Sequence, residues 1–438
     1  MTAVMLENTD IDSALAEARV DFTRRNPESL ARHTAACAAM PGGNTRTVLY
    51  FEPYPLTIVR GEGQHLFDVD GHRYVDVLGE YTAGLYGHSH PRIRKALDEA
   101  LDGGWNFGGH NQLEVELAKL VCDRFPSVEL VRFTNSGTEA NLMALSAVRA
   151  VSGRKKILVF DGGYHGGVFL FSGGGSPINA PFDWLVGQYN DIEGTRALIE
   201  AHGADLAAVI LEPMIGGGGC IPATREFLVM LREVTRARDV FLIFDEVMTS
   251  RLSPGGLQQA HGVIPDLTTL GKYIGGGMSF GAFGGTPRVM ERFDPRRKDA
   301  FGHAGTFNNN VLTMSAGIAA LSEIYTPEAA IALNARGDAL RERLNALARA
   351  RGAKLQFTGR GSMMNAHFTL EPIRRPADAA RGDMRLRDLL FFDLLARGYW
   401  PARRGMINLS LPLTDADLDG LVDAVGEFLE ARRSLVAA

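Results

Sequence analysis

Between about residue 90 and residue 324 the chain alternates short apolar, β-branched runs with helical patterns, and no other feature constrains the fold as much. Runs at 129–134, 155–160, 206–211, 239–244 and 280–284 have the composition of buried parallel strands. A further short strand-like run, Leu267-Thr268-Thr269-Leu270, precedes Gly271 and Lys272. Helical patterns at 91–101, 111–125, 193–201, 224–237 and 310–324 separate or follow the strands, and another opens at Asn135-Ser136-Gly137-Thr138-Glu139-Ala140-Asn141 and runs to about Val151. Strands that alternate with helices predict a mostly parallel sheet covered on both faces.

The flanks read differently. Residues 12–39 predict one helix, stopped by Pro41-Gly42-Gly43. Runs at 56–59, 66–69 and 74–77, with Gly61-Glu62-Gly63 and Asp70-Gly71 between them, predict an antiparallel meander; Asp-Gly is a strong hairpin signal. After residue 326 the order is helix, strand, helix, strand, helix, with strands at 355–357 and 406–411 and a cap at Thr414-Asp415-Ala416-Asp417. The expected division is an N-terminal segment with part of a small domain at 1–85, a large domain at 86–325, and the rest of the small α/β domain at 326–438.

Of 438 residues, 45% are hydrophobic and 22% charged, the balance of a soluble globular chain. A net charge of −5 gives no electrostatic case for nucleic acid. No apolar run is long enough to span a membrane. The first twenty residues lack the pattern of a signal peptide. Cys37, Cys122 and Cys220 have no metal-ligand spacing and are expected to be small core residues in a reduced, cytoplasmic protein, with no metal site.

Several polar clusters stand where strands end. Phe241-Leu242-Ile243-Phe244-Asp245-Glu246-Val247 is an apolar strand that delivers two carboxylates. Gly271-Lys272-Tyr273-Ile274-Gly275-Gly276-Gly277 places a lysine against glycines that let backbone approach a ligand. Taken alone, Lys272 reads as an exposed lysine in a glycine-rich turn. Screened from water it loses its proton at modest cost, and the neutral amine can add to a carbonyl. Asp245 is expensive to bury unless paired. A carboxylate for a pyridine nitrogen and a lysine for an aldehyde are what pyridoxal phosphate needs from a protein.

The remaining clusters are each ambiguous. Ser136-Gly137-Thr138 is a phosphate pocket at a helix N-terminus, a capping box completed by Glu139, or both. Tyr164-His165-Gly166 offers an aromatic to stack on a planar ring, or a packed loop tyrosine beside a surface histidine. Glu212, in Glu212-Pro213-Met214, suits structural support more than proton transfer. Val247 or Met248 would pack beneath a ring or simply in the core. Arg46 is an anion clamp or a solvated arginine near a turn. Tyr81, Trp105 and Phe107 would line an aromatic pocket or pack in the core. Thr306, in Gly305-Thr306-Phe307, is a further phosphate contact or part of a helix N-terminal region.

Together, Asn135-Ser136-Gly137-Thr138-Glu139-Ala140, Tyr164-His165-Gly166, Glu212-Pro213, Asp245-Glu246-Val247, Gly271-Lys272 and Gly305-Thr306-Phe307 resemble the class III aminotransferases, pyridoxal-phosphate enzymes of fold type I. Pro41-Gly42-Gly43-Asn44 and Met248 resemble the branch that holds the glutamate-1-semialdehyde aminomutases. Glu80-Tyr81-Thr82-Ala83-Gly84, the run Asp245 to Leu252, and Leu409-Ser410-Leu411-Pro412-Leu413-Thr414-Asp415 resemble the aromatic β-amino-acid aminotransferases of that branch.

The resemblance implies a homodimer with sites at the interface and pyridoxal 5′-phosphate carried by Lys272. Asp245 would meet the ring nitrogen and Tyr164 the ring face. Ser136, Gly137 and Thr138 would hold the phosphate, and Thr306 the phosphate of the neighbouring subunit. Arg46 and Arg404 match carboxylate-binding positions, with Arg403 an alternative to Arg404. The implied reaction passes an amino group from a β-amino acid, such as 3-amino-3-phenylpropanoate, to 2-oxoglutarate or pyruvate. Arg46 is assigned to the β-carboxylate and Arg404 to the acceptor's α-carboxylate. An aminomutase, an amine transaminase that needs no carboxylate, and a binding protein that kept the fold are the alternatives.

Overall fold

The computed structural model describes residues 10–438; the first nine residues, with that part of the 1–85 segment and of the signal-peptide reading, lie outside the described residues. In chain order the strands are β1 (Ile58–Glu62), β2 (His65–Asp68), β3 (Arg73–Asp76), β4 (Leu130–Thr134), β5 (Lys156–Phe160), β6 (Asp183–Gly187), β7 (Leu206–Leu211), β8 (Met214–Ile215) and β9 (Ile221–Pro222). They continue with β10 (Phe241–Asp245), β11 (Leu267–Gly271), β12 (Gly281–Gly285), β13 (Gln356–Arg360), β14 (Met363–His367), β15 (Tyr399–Trp400) and β16 (Met406–Asn408).

The central sheet has seven strands in the order β4-β12-β11-β10-β7-β5-β6. Every neighbouring pair is parallel except those that involve β12, which runs against both β11 and β4. The run at 280–284 is therefore a strand, but not the parallel one its composition predicts. Lys272–Gly275 is only a 3-10 turn, and the nine residues between β11 and β12 hold no crossover helix, so the chain must double back.

Strand alternation divides the core in two. Ile157, Val159, Ala208, Ile210, Phe241 and Ile243 pack with Ala140, Ala144 and Val148 of helix Gly137–Ser152. Their chain neighbours Leu158, Phe160, Val209, Leu211, Leu242 and Phe244 pack with Phe227, Leu231 and Val234 of helix Arg225–Ala237. These residues are all nearly or fully buried, and each valine, leucine, isoleucine or phenylalanine side chain among them contributes about 1.5–3 kcal/mol through removal of apolar surface from water. The two-residue period also aims Asp245: it shares the parity of Phe241 and Ile243, so it points toward helix Gly137–Ser152.

Both ends of the chain build smaller sheets. β1, β2 and β3 form the expected meander, and β15 joins β3 in parallel, Tyr399 opposite Val75 and Trp400 opposite Asp76. β13, β14 and β16 form a second sheet. Asn408 donates from its backbone to the carbonyl of Val77 (2.8 Å) and from its side chain to that of Leu78 (2.8 Å). Those bonds bring the turn that carries Arg404 against the segment that carries Tyr81.

Four other expectations need correction. The helix at 12–39 is two, Ile11–Arg25 and Pro27–Cys37, because Pro27 lacks the N–H that would continue the first. β6, β8, β9, β14 and β15 appear where no strand is expected, and β16 ends at Asn408 rather than 411. The cysteines are all unpaired, but Cys37 is exposed and Cys122 half-buried; only Cys220 is a core residue. Among the described residues no helix is long and apolar enough to cross a membrane.

Candidate active site

Five parallel-running strands, β4, β5, β7, β10 and β11, end at one edge of the central sheet, and β12 begins there. Ligands in such sheets bind outside the carboxyl ends of the strands. The cavity at this edge, of about 300 Å³, is lined by Ser136, Gly137 and Thr138 after β4, Tyr164, His165 and Gly166 after β5, and Glu212 after β7. Asp245 at the end of β10, Val247 and Met248 just beyond it, Lys272 after β11, and Met278, Ser279 and Phe280 ahead of β12 also line it, with Asn135 and Asn141. Residues far apart in sequence converge because the sheet aligns their strand ends.

Asp245 is buried and held from three sides. Asn141 Nδ2 donates to its Oδ2 at 2.8 Å, His165 Nδ1 lies 2.7 Å from the same oxygen, and the Val247 N–H donates to Oδ1 at 3.0 Å. A carboxylate only accepts, so His165 carries its proton on Nδ1. His165 Nε2 is buried without a partner among the described residues, and His165 itself is 2% exposed, so it is not a surface histidine. Three bonds leave the carboxylate further acceptor capacity for a protonated ring nitrogen.

Lys272 has φ +55, a left-handed conformation uncommon outside glycine and frequent at functional sites. Burial, with help from the Arg46 and Arg404 guanidiniums and against the pull of Asp245, lowers its pKa from 10.5 to about 8. Glu212 is also buried; Tyr164 N and Gly216 N donate to its two oxygens at 3.1 and 3.0 Å, and burial pushes its pKa up to about 7. Those bonds tie Glu212 to the Tyr164 backbone and the Gly216 turn. Tyr164 keeps 46% of its surface exposed at the cavity.

The start of helix Gly137–Ser152 is a close-packed cradle. A Cβ on Gly137 would stand 2.8 Å from Val247, and one on Gly166 2.3 Å from Thr138 Oγ1. Ser136 Oγ accepts from Glu139 N at 3.1 Å, as a cap does. Glu139 does not reciprocate onto Ser136: its carboxylate accepts from Asn135 N at 2.8 Å, so half of the predicted capping box is displaced by one residue. Hydroxyls and free N–H groups at this helix start suit a phosphate. The donor set therefore fits pyridoxal phosphate, with a lysine of lowered pKa, a braced carboxylate, a partly exposed aromatic and an anion-binding helix end around one cavity.

Arg404 holds its guanidinium 4.9 Å from the centre of the Tyr81 ring, and Arg46 approaches the same ring at 5.8 Å. Arg46 also pairs with Glu80 at 3.7 Å, an exposed pair worth little by itself. Arg403 is bound by Asp388 at 2.7 and 2.9 Å, whereas no carboxylate among the described residues is within bonding distance of Arg404. Trp105 and Phe107 are each 56% exposed; they neither line the cavity nor pack in the core. Thr306 is exposed and does not line the cavity of its own chain.

Sequence reading missed Asn141, which ties together Asp245, the His165 carbonyl (2.9 Å) and Thr269 Oγ1 (2.7 Å). The available signal was an amide on the same helix face as buried alanines, a position that normally favours an apolar residue.

Residues 50–383 match the family model described as aminotransferase class-III. The beta-phenylalanine transaminase of Variovorax paradoxus is 56% identical over 426 residues, 97% of this chain and 98% of that protein. A crystal structure of a β-phenylalanine aminotransferase from Variovorax paradoxus superposes with a TM-score of 0.96 at 56% identity, covering 98% of this chain and 99% of that one. The glutamate-1-semialdehyde 2,1-aminomutase of Desulforudis audaxviator is 38% identical, over 93% of this chain and 98% of that protein. The chain belongs to the class-III aminotransferases and has their fold type I architecture. It is a pyridoxal-phosphate-dependent enzyme that passes an amino group from a donor to a keto-acid acceptor.

Proposed function

We propose that this class-III aminotransferase takes the amino group of an aromatic β-amino acid, with 3-amino-3-phenylpropanoate the model donor, and passes it to an α-keto acid such as 2-oxoglutarate or pyruvate. The observation that carries this reading is the placement of two guanidiniums, Arg46 and Arg404, on one ring, both near enough to Lys272 to lower its pKa. A β-amino acid holds its carboxylate one carbon farther from the reacting centre than an α-keto acid does. A site that serves both in turn needs two separated anion clamps. Arg46 takes the β-carboxylate and Arg404 the α-carboxylate, each suited to a planar, bidentate contact. The activity named for the Variovorax paradoxus relative supports the same donor class.

Pyridoxal phosphate, when bound, supplies a carbonyl for the donor's amine and a ring that accepts the electron pair left on the amine-bearing carbon. Lys272 is the base. Its Nζ would take the proton from that carbon in the donor half-reaction and would give one to the acceptor's keto carbon in the second, a role suited to an amine whose pKa is brought near the working pH. Asp245, aimed by Asn141 and His165, would face the ring nitrogen. Ser136, Gly137 and Thr138 would hold the phosphate, Tyr164 would cover one ring face, and Val247 and Met248 would pack against the other. Glu212 fixes the Tyr164 backbone and the Gly216 turn.

The protein works as a homodimer in this reading, with Thr306 reaching the phosphate of the neighbouring site. The exposed Trp105, Phe107 and Phe307, close in sequence to a groove of about 910 Å³ lined by Arg132, His303 and Asn308, support a second copy on this face. Three unpaired cysteines support a reducing, cytoplasmic setting.

The test is a comparison of donors with 2-oxoglutarate as acceptor. A kcat/KM for 3-amino-3-phenylpropanoate at least about tenfold above that for 1-phenylethylamine is expected, since the second lacks the carboxylate Arg46 would bind. Equal use of the two, or conversion of glutamate-1-semialdehyde without any keto acid, would overturn it.

A further inference from the structure

Arg251 is the largest fully buried side chain among the described residues and carries a charge that no carboxylate balances. Its guanidinium donates to two backbone carbonyls, those of Leu409 and of Thr82 (3.5 Å), and its Nε has no partner among the described residues. Its own carbonyl accepts from the Tyr325 hydroxyl and from Asn334 Nδ2 at 2.8 Å. A cation in such a place costs several kcal/mol of desolvation, so an apolar residue of similar length would serve simple packing better.

What Arg251 grips accounts for its presence. Gly79, Glu80, Tyr81 and Thr82 have φ +54, +50, +52 and +82, four successive left-handed residues, three of them not glycine. Thr82 is β-branched, and such a residue at positive φ is a true outlier. A bend of this kind persists only where its surroundings impose it. Asp76 Oδ1 accepts from the N–H groups of Leu78 and Gly79, both at 2.9 Å, and Gly84 N bonds the Gly79 carbonyl at 2.9 Å. The carbonyl of Thr82 is left to Arg251. The bend carries Glu80, which pairs with Arg46, and Tyr81, which lies against both Arg46 and Arg404. Leu409, the other carbonyl held, follows the strand that leads away from Arg404. Arg251 itself follows Asp245 at the end of β10.

We propose that Arg251 is a positioning residue for substrate carboxylates: it locks the Gly79–Thr82 bend and the Leu409 segment to the strand end that carries Asp245, and so sets where Arg46 and Arg404 stand relative to Lys272. It touches neither substrate nor cofactor. The inference rests on the reading of Arg46 and Arg404 as anion clamps. Failure of that reading is recognised separately, because Arg46→Ala and Arg404→Ala would then leave the KM values for carboxylate substrates unchanged.

The experiment uses the full-length, cofactor-loaded enzyme and the variant Arg251→Lys, which keeps the charge but loses the two-carbonyl fork. The KM for 3-amino-3-phenylpropanoate and for 2-oxoglutarate should rise about tenfold, while kcat and the visible absorbance of the bound cofactor change less than about twofold. Adding Thr82→Gly, which removes the conformational strain from the bend, should recover at least about half of the loss in KM on a logarithmic scale. A merely structural role predicts lower thermal stability without that split and without rescue. The proposal is overturned if Arg251→Lys folds with both KM values within about twofold of the parent, if kcat alone falls, or if Thr82→Gly restores nothing. Should Arg251→Lys fail to fold, Tyr325→Phe loosens Arg251 more gently. A two- to threefold rise in KM, roughly, supports the proposal there, and an unchanged KM overturns it.

Discussion

Arg404 lies against the ring of Tyr81 with its guanidinium 4.9 Å from the ring centre, and its Nε, though buried, bonds to nothing among the described residues. Tyr81 orients the guanidinium without consuming its charge, since a cation over an aromatic face gains about 0.5–2 kcal/mol and keeps its N–H groups for an anion. Arg404→Ala should therefore raise the KM for 2-oxoglutarate by about 10- to 100-fold and leave the donor half-reaction within a few-fold of the parent. Half-reactions measured separately, by the loss or return of the cofactor's absorbance, decide it. Loss of donor turnover with acceptor turnover preserved would reverse the assignments of Arg46 and Arg404.

Arg46 has a second effect, on Lys272. Its positive charge disfavours the ammonium form, after burial the largest influence that lowers the pKa to about 8. Only the neutral amine attacks a carbonyl, so capture of pyridoxal phosphate by cofactor-free enzyme should accelerate as pH rises through about 8. Arg46→Ala removes a like charge, restores the ammonium form to higher pH, and should move that midpoint upward by about half a unit. Capture rates followed by absorbance across pH 6–10, roughly, supply the check. A midpoint that stays put or falls contradicts the electrostatic account of Lys272.

Asp245 and Asn141 separate binding from chemistry. Asp245→Asn keeps the shape but loses the charge, so turnover should fall about 10²–10³-fold while the enzyme retains its cofactor. Asn141→Ala leaves the charge and removes one of three bonds that aim it, and a smaller loss, about tenfold, is expected. Single-turnover rates on cofactor-saturated variants measure both. Equal losses would mean that Asn141 does more than orient.

Gly166 adopts φ +129, and a Cβ there would meet Thr138 Oγ1 at 2.3 Å. Gly166→Ala should therefore push the turn away from the helix start. A loss of about 1–3 kcal/mol in stability and weaker retention of the cofactor are expected together. Thermal melting with and without added pyridoxal phosphate tests this; unchanged retention would remove the Thr138 end from the phosphate site.

Much of the site was legible because strand ends are where this class of sheet binds ligands. Phe241–Asp245 is apolar until its last residue, and a carboxylate at such a place invites a partner. What was not legible follows from the same physics. The direction of β12 depends on the length of its connection rather than on its composition, and the nine residues between Gly271 and Gly281 are too few for a crossover. β14 reads Met363-Met364-Asn365-Ala366-His367, poor strand formers that are all buried because the sheet around them is complete. β6 carries an aspartate, a tryptophan and a glycine at the open edge of the sheet, where no apolar run is needed. Arg251 looks like any polar residue after a strand; only the fold shows that it grips Thr82 and Leu409 from inside.

The most direct test of the account is chemical. Borohydride reduction of the cofactor-loaded enzyme, followed by digestion and mass analysis, should place the pyridoxyl group on Lys272 alone, with loss of the visible absorbance. A label on any other lysine, or no label with the absorbance retained, would contradict it.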